Sequence, residues 1–281
     1  MRQRDIQVDG IRIQLTEAGE GPALILLHGL SASRVNWEHT IPAFADRWRV
    51  VAPDLPGHGR SGKPDAPYTI DFYAGVIRSL GRELGLKEAV VVGNSLGGQI
   101  AVELGLMYPA WTRALVLVAP AGRFNVGLRT MSGAIAAAAT ERVLRATLPH
   151  ALDRCFFDPD CEALMMRRRV LYQLLASEEF PPFARAVARS LAGALAGGQQ
   201  PLERLTQPTL VVWGREDRVV GFGGSRRLLA RVPHARLVAF DRCGHCPMLE
   251  QPARFNTALA EFLRAVDAAP LARARSANGG R

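Results

Sequence analysis

Apolar and polar positions alternate at the start of the chain: Ile6 and Val8, then Ile11, Ile13 and Leu15 beyond Asp9-Gly10. Period-two alternation on both sides of an Asp-Gly pair predicts two antiparallel strands joined by a tight turn. From Ala23 onward the pattern changes. Ala23–Leu27 is continuously apolar, and runs of the same kind recur at Arg49–Ala52, Ala89–Val92, Ala114–Ala119, Thr209–Trp213 and Arg236–Phe240. A strand apolar on both faces belongs in a parallel sheet covered by helices on both sides. Between the runs, apolar residues take helical spacing over Phe72–Leu84, Leu96–Met107, Ser225–Arg231 and Pro252–Val266. The alternation predicts an α/β fold with a mostly parallel central sheet and helices on both faces.

One interval breaks the rhythm. Between about Gly122 and Leu205 no strand-like run occurs, only Ala/Leu/Arg-rich helical sequence punctuated by Pro149, Pro159 and Pro181-Pro182. An insertion at that point sits over the carboxyl edge of the sheet, where open α/β sheets bind ligands. The expected organisation is a core formed by residues 1–121 and 206–267, a helical cap over 122–205, and a disordered tail over 268–281. That tail is acid-free and rich in Ala, Gly and Ser.

Composition narrows the classes. A chain of 281 residues, 48% hydrophobic and 22% charged, is that of a globular protein with a sizeable core. No apolar run reaches the roughly 18 residues of a spanning helix, and the N-terminus shows no apolar signal region. The cytoplasm is the expected location. The net charge of +9 invites a nucleic-acid reading. Its distribution argues otherwise: all the basic residues except Lys63 and Lys87 are Arg, and they are scattered among acids. The expected partner is a small-molecule substrate, not nucleic acid. Four cysteines (Cys155, Cys161, Cys243 and Cys246) are too few for a disulfide scaffold.

The most informative stretch is Val90-Val91-Val92-Gly93-Asn94-Ser95-Leu96-Gly97-Gly98-Gln99. It places G-x-S-x-G between a buried strand and a helix. A sharp strand-to-helix turn would project the Ser95 hydroxyl above the sheet, with Gly93 and Gly97 required where side chains would collide. The helix opening beyond Ser95 directs free N–H groups and a positive dipole end at developing negative charge. As a plain N-cap, Ser95 would have no need of flanking glycines.

With these residues in view the chain resembles the α/β-hydrolase fold superfamily over residues 5 to 267. That resemblance implies a triad in the order Ser, Asp or Glu, His. Val211-Val212-Trp213-Gly214-Arg215-Glu216-Asp217-Arg218-Val219-Val220 matches the acid loop and Asp241-Arg242-Cys243-Gly244-His245-Cys246-Pro247-Met248-Leu249-Glu250 the histidine loop. His28-Gly29-Leu30 is similar to the oxyanion loop, and Pro53-Asp54-Leu55-Pro56-Gly57-His58-Gly59 to a further family loop. The implied roles are Ser95 as nucleophile, His245 as base and Asp217 as its orienting acid. Backbone N–H groups of Leu30 and Leu96 are the implied oxyanion donors. Glu216 and Asp241 stay open as alternative acids, and Asp217 as a surface partner of Arg215 or Arg218. His28 is expected to brace its loop.

Cys243-Gly244-His245-Cys246 is similar to the motif of thiol-disulfide oxidoreductases, but Pro247 follows and too little chain remains for a thioredoxin-like domain. A zinc site joining this pair to Cys155 and Cys161 has the wrong spacing, and the triad mechanism requires no metal and no organic cofactor. A non-catalytic receptor on the same scaffold is a further alternative. Haloalkane dehalogenases and epoxide hydrolases use Asp where this chain has Ser95, and Tyr172 is the only cap tyrosine. The expected activity is hydrolysis of a small-to-medium hydrophobic carboxylic ester through an acyl-enzyme. Cleavage of carbon–carbon bonds in ring-fission products of aromatic degradation is the alternative. Against that alternative, Leu30-Ser31-Ala32-Ser33 lacks the Gly-rich oxyanion loop of those hydrolases, and Cys246 stands where they tend to carry Trp. Trp37, Asn94, Phe124, Met131 and Phe222 are candidate pocket residues.

Overall fold

The computed structural model describes residues 1–122, 140–196 and 200–268. Eight strands, β1 (Arg2–Val8), β2 (Ile11–Ala18), β3 (Ala23–Leu27), β4 (Arg49–Pro53), β5 (Ala89–Asn94), β6 (Thr112–Val118), β7 (Thr209–Gly214) and β8 (Arg236–Phe240), form one sheet. Its order is β1-β2-β4-β3-β5-β6-β7-β8. β1 and β2 pair antiparallel around Asp9-Gly10, β2 pairs antiparallel with β4, and every other neighbour is parallel.

Burial on two faces explains the continuous apolar runs. Along β3, Ile25 and Leu27 enter one core cluster while Leu24 and Leu26 enter another; along β5, Val91 faces the first and Val90 and Val92 the second. The first cluster is closed by α2 (Ile70–Glu83), α3 (Leu96–Met107) and α7 (Gly223–Arg231). The second is closed by α1 (Ile41–Phe44), the one-turn α8 (Pro247–Glu250) and α9 (Pro252–Ala268). α2 starts two residues before the apolar spacing predicts, because the Thr69 hydroxyl caps it by accepting the Phe72 N–H.

The stretch between β6 and β7 carries α4 (Glu141–Asp153), α5 (Glu162–Leu175) and α6 (Phe180–Ala196), with no strand among the described residues. These helices have a small core of their own around Leu144, Leu148, Phe180, Phe183 and Val187. They lie over loops that leave the carboxyl ends of the strands. Phe183 stacks edge-on against His58 beyond β4, the Phe157 carbonyl accepts from Arg218 beyond β7, and the Cys155 carbonyl accepts from His245 beyond β8. Phe124, Met131 and most of the expected tail fall outside the described residues. No described helix is long and apolar enough to cross a membrane.

Candidate active site

Strand β5 ends at Asn94 and α3 begins at Leu96, leaving one residue to turn the chain. Ser95 does so at φ 54° and ψ −113°, a conformation that an L-residue adopts only under constraint. Backbone bonds supply the constraint: its N–H donates to the Val118 carbonyl at 3.0 Å, and its own carbonyl accepts from Ala121 at 2.9 Å and Gln99 at 3.1 Å. The flanking glycines are obligatory. A Cβ on Gly93 would stand 2.1 Å from the Gly97 carbonyl oxygen, and one on Gly97 2.3 Å from that of Leu27.

His245 lies in the loop after β8 and Asp217 in the loop after β7. The imidazole Nδ1 donates to Asp217 Oδ2 at 2.7 Å, and both side chains are buried. The other carboxylate oxygen, Oδ1, accepts from Val219 N–H at 2.8 Å and Val220 N–H at 3.0 Å. Burial disfavours the imidazolium, but the Asp217 charge and hydrogen bond outweigh it and lift His245 to about 9. For Asp217, burial opposes ionisation, yet His245 and the two amides hold the carboxyl below its ordinary value. The alternative acids are engaged elsewhere: Glu216 accepts the Cys243 N–H at 2.9 Å, and Asp241 pairs with Arg215 at 2.6 Å on the surface.

One contact joins the serine turn to the histidine loop, and a second brings the loop of Leu30 against Ser95. Asn94 Nδ2 donates to the His245 carbonyl at 3.1 Å and to the Val118 carbonyl at 3.2 Å. Gly29, just before Leu30, approaches so closely that a Cβ there would meet Ser95 Cβ at 3.2 Å. Leu96 is the first residue of α3, so its N–H has no carbonyl one turn back within the helix. Leu30 is partly buried against the core. Its loop is fixed from behind by His28, whose Nε2 accepts the Leu55 N–H at 2.9 Å and whose Nδ1 then donates to the Gly29 carbonyl at 2.8 Å. Arg34 and the fully buried Asp54 brace the same region through a 2.5 Å ion pair.

Two candidate pocket residues have other places. Trp37 is no pocket wall: it is fully buried in the core cluster of α1 and α9, its ring centroid 6.1 Å from that of Phe255. Asn94 spends its amide on the two carbonyls above. Phe222 is partly buried against the core, with the Arg215 guanidinium 5.0 Å above its ring. Sequence reasoning missed Glu250. Its carboxylate accepts the N–H groups of Phe157 (2.7 Å), Gly244 (3.0 Å) and Cys246 (3.2 Å), tying the histidine loop to the helical insertion. The only signal in the sequence was its place at the end of the histidine-loop match. Among the described residues no group of three or more His, Cys, Asp or Glu could hold a metal ion.

A buried imidazole paired with a carboxylate, on a loop that Asn94 ties to the strand-to-helix turn carrying Ser95 at the carboxyl edge of a parallel sheet, is an arrangement suited to nucleophilic hydrolysis. The chain belongs to the alpha/beta hydrolase family, whose sequence pattern matches residues 24–258. It is 32% identical over 278 residues to the 2-hydroxymuconate semialdehyde hydrolase of Pseudomonas sp. (strain CF600), covering 95% of this chain and 96% of that one. It is 30% identical over 284 residues to the 2-hydroxy-6-oxo-6-phenylhexa-2,4-dienoate hydrolase of Burkholderia cepacia, covering 91% and 92%. Among solved structures, the meta-cleavage product hydrolase CumD from Pseudomonas fluorescens IP01 superposes with a TM-score of 0.76 at 27% identity, over 93% of this chain and 97% of that one.

Proposed function

We propose that Ser95, His245 and Asp217 act as nucleophile, base and orienting acid, and that the carbonyl they attack belongs to a ring-fission product of aromatic degradation cleaved at a carbon–carbon bond. The observation that carries the substrate class is the likeness, over nearly the full length of both chains, to the 2-hydroxymuconate semialdehyde hydrolase. With Nδ1–H committed to Asp217, His245 Nε2 is the nitrogen left to take the Ser95 proton. The alkoxide adds to the ketone or aldehyde carbon, and the Leu30 and Leu96 N–H groups receive the oxyanion. The bond can break only in the keto tautomer, in which the enol proton has moved to C5; its electron pair then passes through C4 and C3 onto the C2 oxygen, and the dienolate so formed takes its proton from the imidazolium. Water, deprotonated by the same His245, then releases the acyl group from Ser95.

Ester hydrolysis, the first expectation from the sequence, is the second reading here, because the full-length likenesses to carbon–carbon hydrolases support the other. It is supported by Cys246 and the Leu30-Ser31-Ala32-Ser33 loop, where this chain departs from the carbon–carbon hydrolases. It also draws on the likeness to an N-acyl homoserine lactone degrading enzyme, with a TM-score of 0.78 at 28% identity, covering 92% of this chain and 100% of that one. A lactone is an internal ester, and the same addition to a carbonyl would open it.

The deciding experiment compares kcat/KM for 2-hydroxy-6-oxohexa-2,4-dienoates bearing hydrogen, methyl or phenyl at C6 with a graded series of p-nitrophenyl esters. The dienoates are expected to lead. A best ester ahead of every dienoate would make this an esterase. Failure of a fluorophosphonate probe to label Ser95 in the folded protein would favour a receptor.

A further inference from the structure

The histidine loop is fitted to one short segment of the helical insertion, residues 154–157. The Cys155 carbonyl accepts the His245 N–H at 2.7 Å, and a Cβ on Gly244 would stand 2.6 Å from the same oxygen and 3.0 Å from the Phe157 nitrogen. The acid loop meets this segment too: the Phe157 carbonyl accepts from the Arg218 guanidinium at 3.3 Å, and the Arg154 guanidinium donates to the Arg218 carbonyl. The oxyanion loop reaches the insertion elsewhere, where Leu30 packs against its small core. The loops of the candidate base, acid and oxyanion donor therefore all touch one insertion.

One side chain joins that segment to the base. Glu250 ends α8, and its Oε2 accepts the Phe157 N–H at 2.7 Å while its Oε1 accepts the Cys246 N–H at 3.2 Å. The Gly244 N–H is shared by both oxygens at 3.0 Å, and the Cys243 thiol is directed at Oε1 from 3.7 Å. Gly244 and Cys246 flank His245, so the carboxylate grips the chain on both sides of the base. Every donor in the set is an N–H or S–H, and no Lys or Arg takes part. An ionised carboxylate, which only accepts, suits such a set. An amide does not: an NH₂ in place of Oε1 would face the Gly244 and Cys246 N–H groups, and in place of Oε2 those of Phe157 and Gly244. Burial acts against the His245 imidazolium; Asp217 from the acid loop, Cys155 from the insertion and Glu250 act for it.

We propose that Glu250 is a positioning residue for the reaction of Ser95 and His245: its carboxylate sets the histidine loop against the helical insertion and supplies a second negative charge to the imidazolium formed during attack. The loop carries the 2.7 Å contact of His245 with Asp217, so a shift of the loop moves the imidazole relative to its partner and to the serine turn alike. The residue touches no reacting atom and acts only through the amides on either side of the base. Its effect on turnover rests on the hydrolase reading; its effect on the imidazole does not.

The test compares the full-length parent with Glu250→Gln and Glu250→Asp by steady-state kinetics, thermal melts and NMR titration of the His245 imidazole, assigned by its absence from His245→Gln. Glu250→Gln is expected to lower kcat roughly 10- to 100-fold, the scale of an ångström-level misplacement, with KM within about twofold. Its imidazole should titrate at lower pH than the parent's, because a negative charge is gone. Glu250→Asp keeps the charge on a side chain one methylene shorter, so kcat should fall in the same way while the titration stays nearer the parent's. Should Glu250→Gln not fold, a kcat loss at unchanged KM in Glu250→Asp decides for the proposal, and a parental kcat there decides against it. In folded Glu250→Gln, a parental kcat, an effect confined to KM, or an imidazole that titrates as in the parent overturns the proposal and leaves the carboxylate a packing group. Failure of the hydrolase reading leaves a different signature: the parent has no rate to lose, yet the imidazole still shifts in Glu250→Gln.

Discussion

The side-chain amide of Asn94 donates to the backbone carbonyl of His245 at 3.1 Å, so the residue before the candidate nucleophile holds the loop that carries the candidate base. A second bond from the same amide, to the Val118 carbonyl at 3.2 Å, ties both to strand β6. The placement of the candidate nucleophile relative to the candidate base is thereby coupled to one amide. Asn94→Ala is expected to lower kcat roughly 10- to 100-fold with little change in KM, since what is lost is alignment. Steady-state kinetics alongside a thermal melt checks this; a variant that melts earlier but turns over at the parental rate would show the amide to be structural only.

Ser95 sits at φ 54°, and strain of this kind costs about 1–3 kcal/mol. Ser95→Ala keeps the Cβ and so keeps the strain, while Ser95→Gly removes it. Both should lose more than ~10⁴-fold in kcat. They should differ in stability, with the Gly variant about 1 kcal/mol more stable than the Ala variant after its larger unfolded-state entropy is discounted. Urea unfolding of the two inactive variants measures the difference, and equal midpoints would mean that the turn is unstrained.

The legible parts of this fold are those in which one physical constraint leaves one kind of residue. Strands buried on both faces write continuous apolar runs, so Leu24 to Leu27 needed no context. Carbonyl oxygens 2.1 and 2.3 Å from the missing Cβ atoms of Gly93 and Gly97 make the turn around Ser95 equally plain. Trp37 was illegible because an aromatic residue in a loop does not reveal which layer it enters, and here it packs on Phe255. Asn94 looked like pocket lining because nothing local shows that its amide serves a carbonyl contributed from near the far end of the chain. The Cys243-Gly244-His245-Cys246 motif misleads in the same way, because the Cys243 thiol is buried and directed at Glu250, whose carboxylate also holds the histidine loop.

In the proposed mechanism, Asp217 sets the pH at which His245 acts as a base. Burial alone would push the imidazole below its ordinary 6.5, but the carboxylate carries it to about 9. The neutral imidazole is the reactive form, so kcat/KM should rise with pH along an acidic limb well above 6.5. Asp217→Asn removes the largest opposing charge and leaves burial against the smaller contributions of neighbours such as Glu250, so the limb should move to lower pH while kcat falls by roughly 10⁴-fold. The profile is read with a substrate whose own groups do not titrate in the range; a limb that stays in place in the variant would exclude Asp217 as the partner that sets it.

His28 and His58 are buried with ring centroids 5.4 Å apart. His58 Nδ1 donates to the Pro56 carbonyl at 3.0 Å, and its Nε2 has no hydrogen-bond partner. Burial lowers His28 to about 4; burial and then the charge of His28 lower His58 to about 3. Both folded values lie below the ordinary 6.5, so as pH falls through 6.5 the unfolded chain takes up protons that the folded one refuses. The stability these neutral rings support is complete above 6.5 and is lost on acidification, each withheld proton contributing about 1.4 kcal/mol per pH unit. His245, raised rather than lowered, is protonated in both states below about pH 5.5 and does not contribute there. Between pH 5.5 and 4.5 the urea-unfolding free energy of His58→Gln should therefore change less steeply than that of the parent by about 1.4 kcal/mol per pH unit. Parallel slopes for the two proteins would show that His58 is protonated in the folded state, and that the loop around Asp54 admits the charge that its burial is argued to exclude.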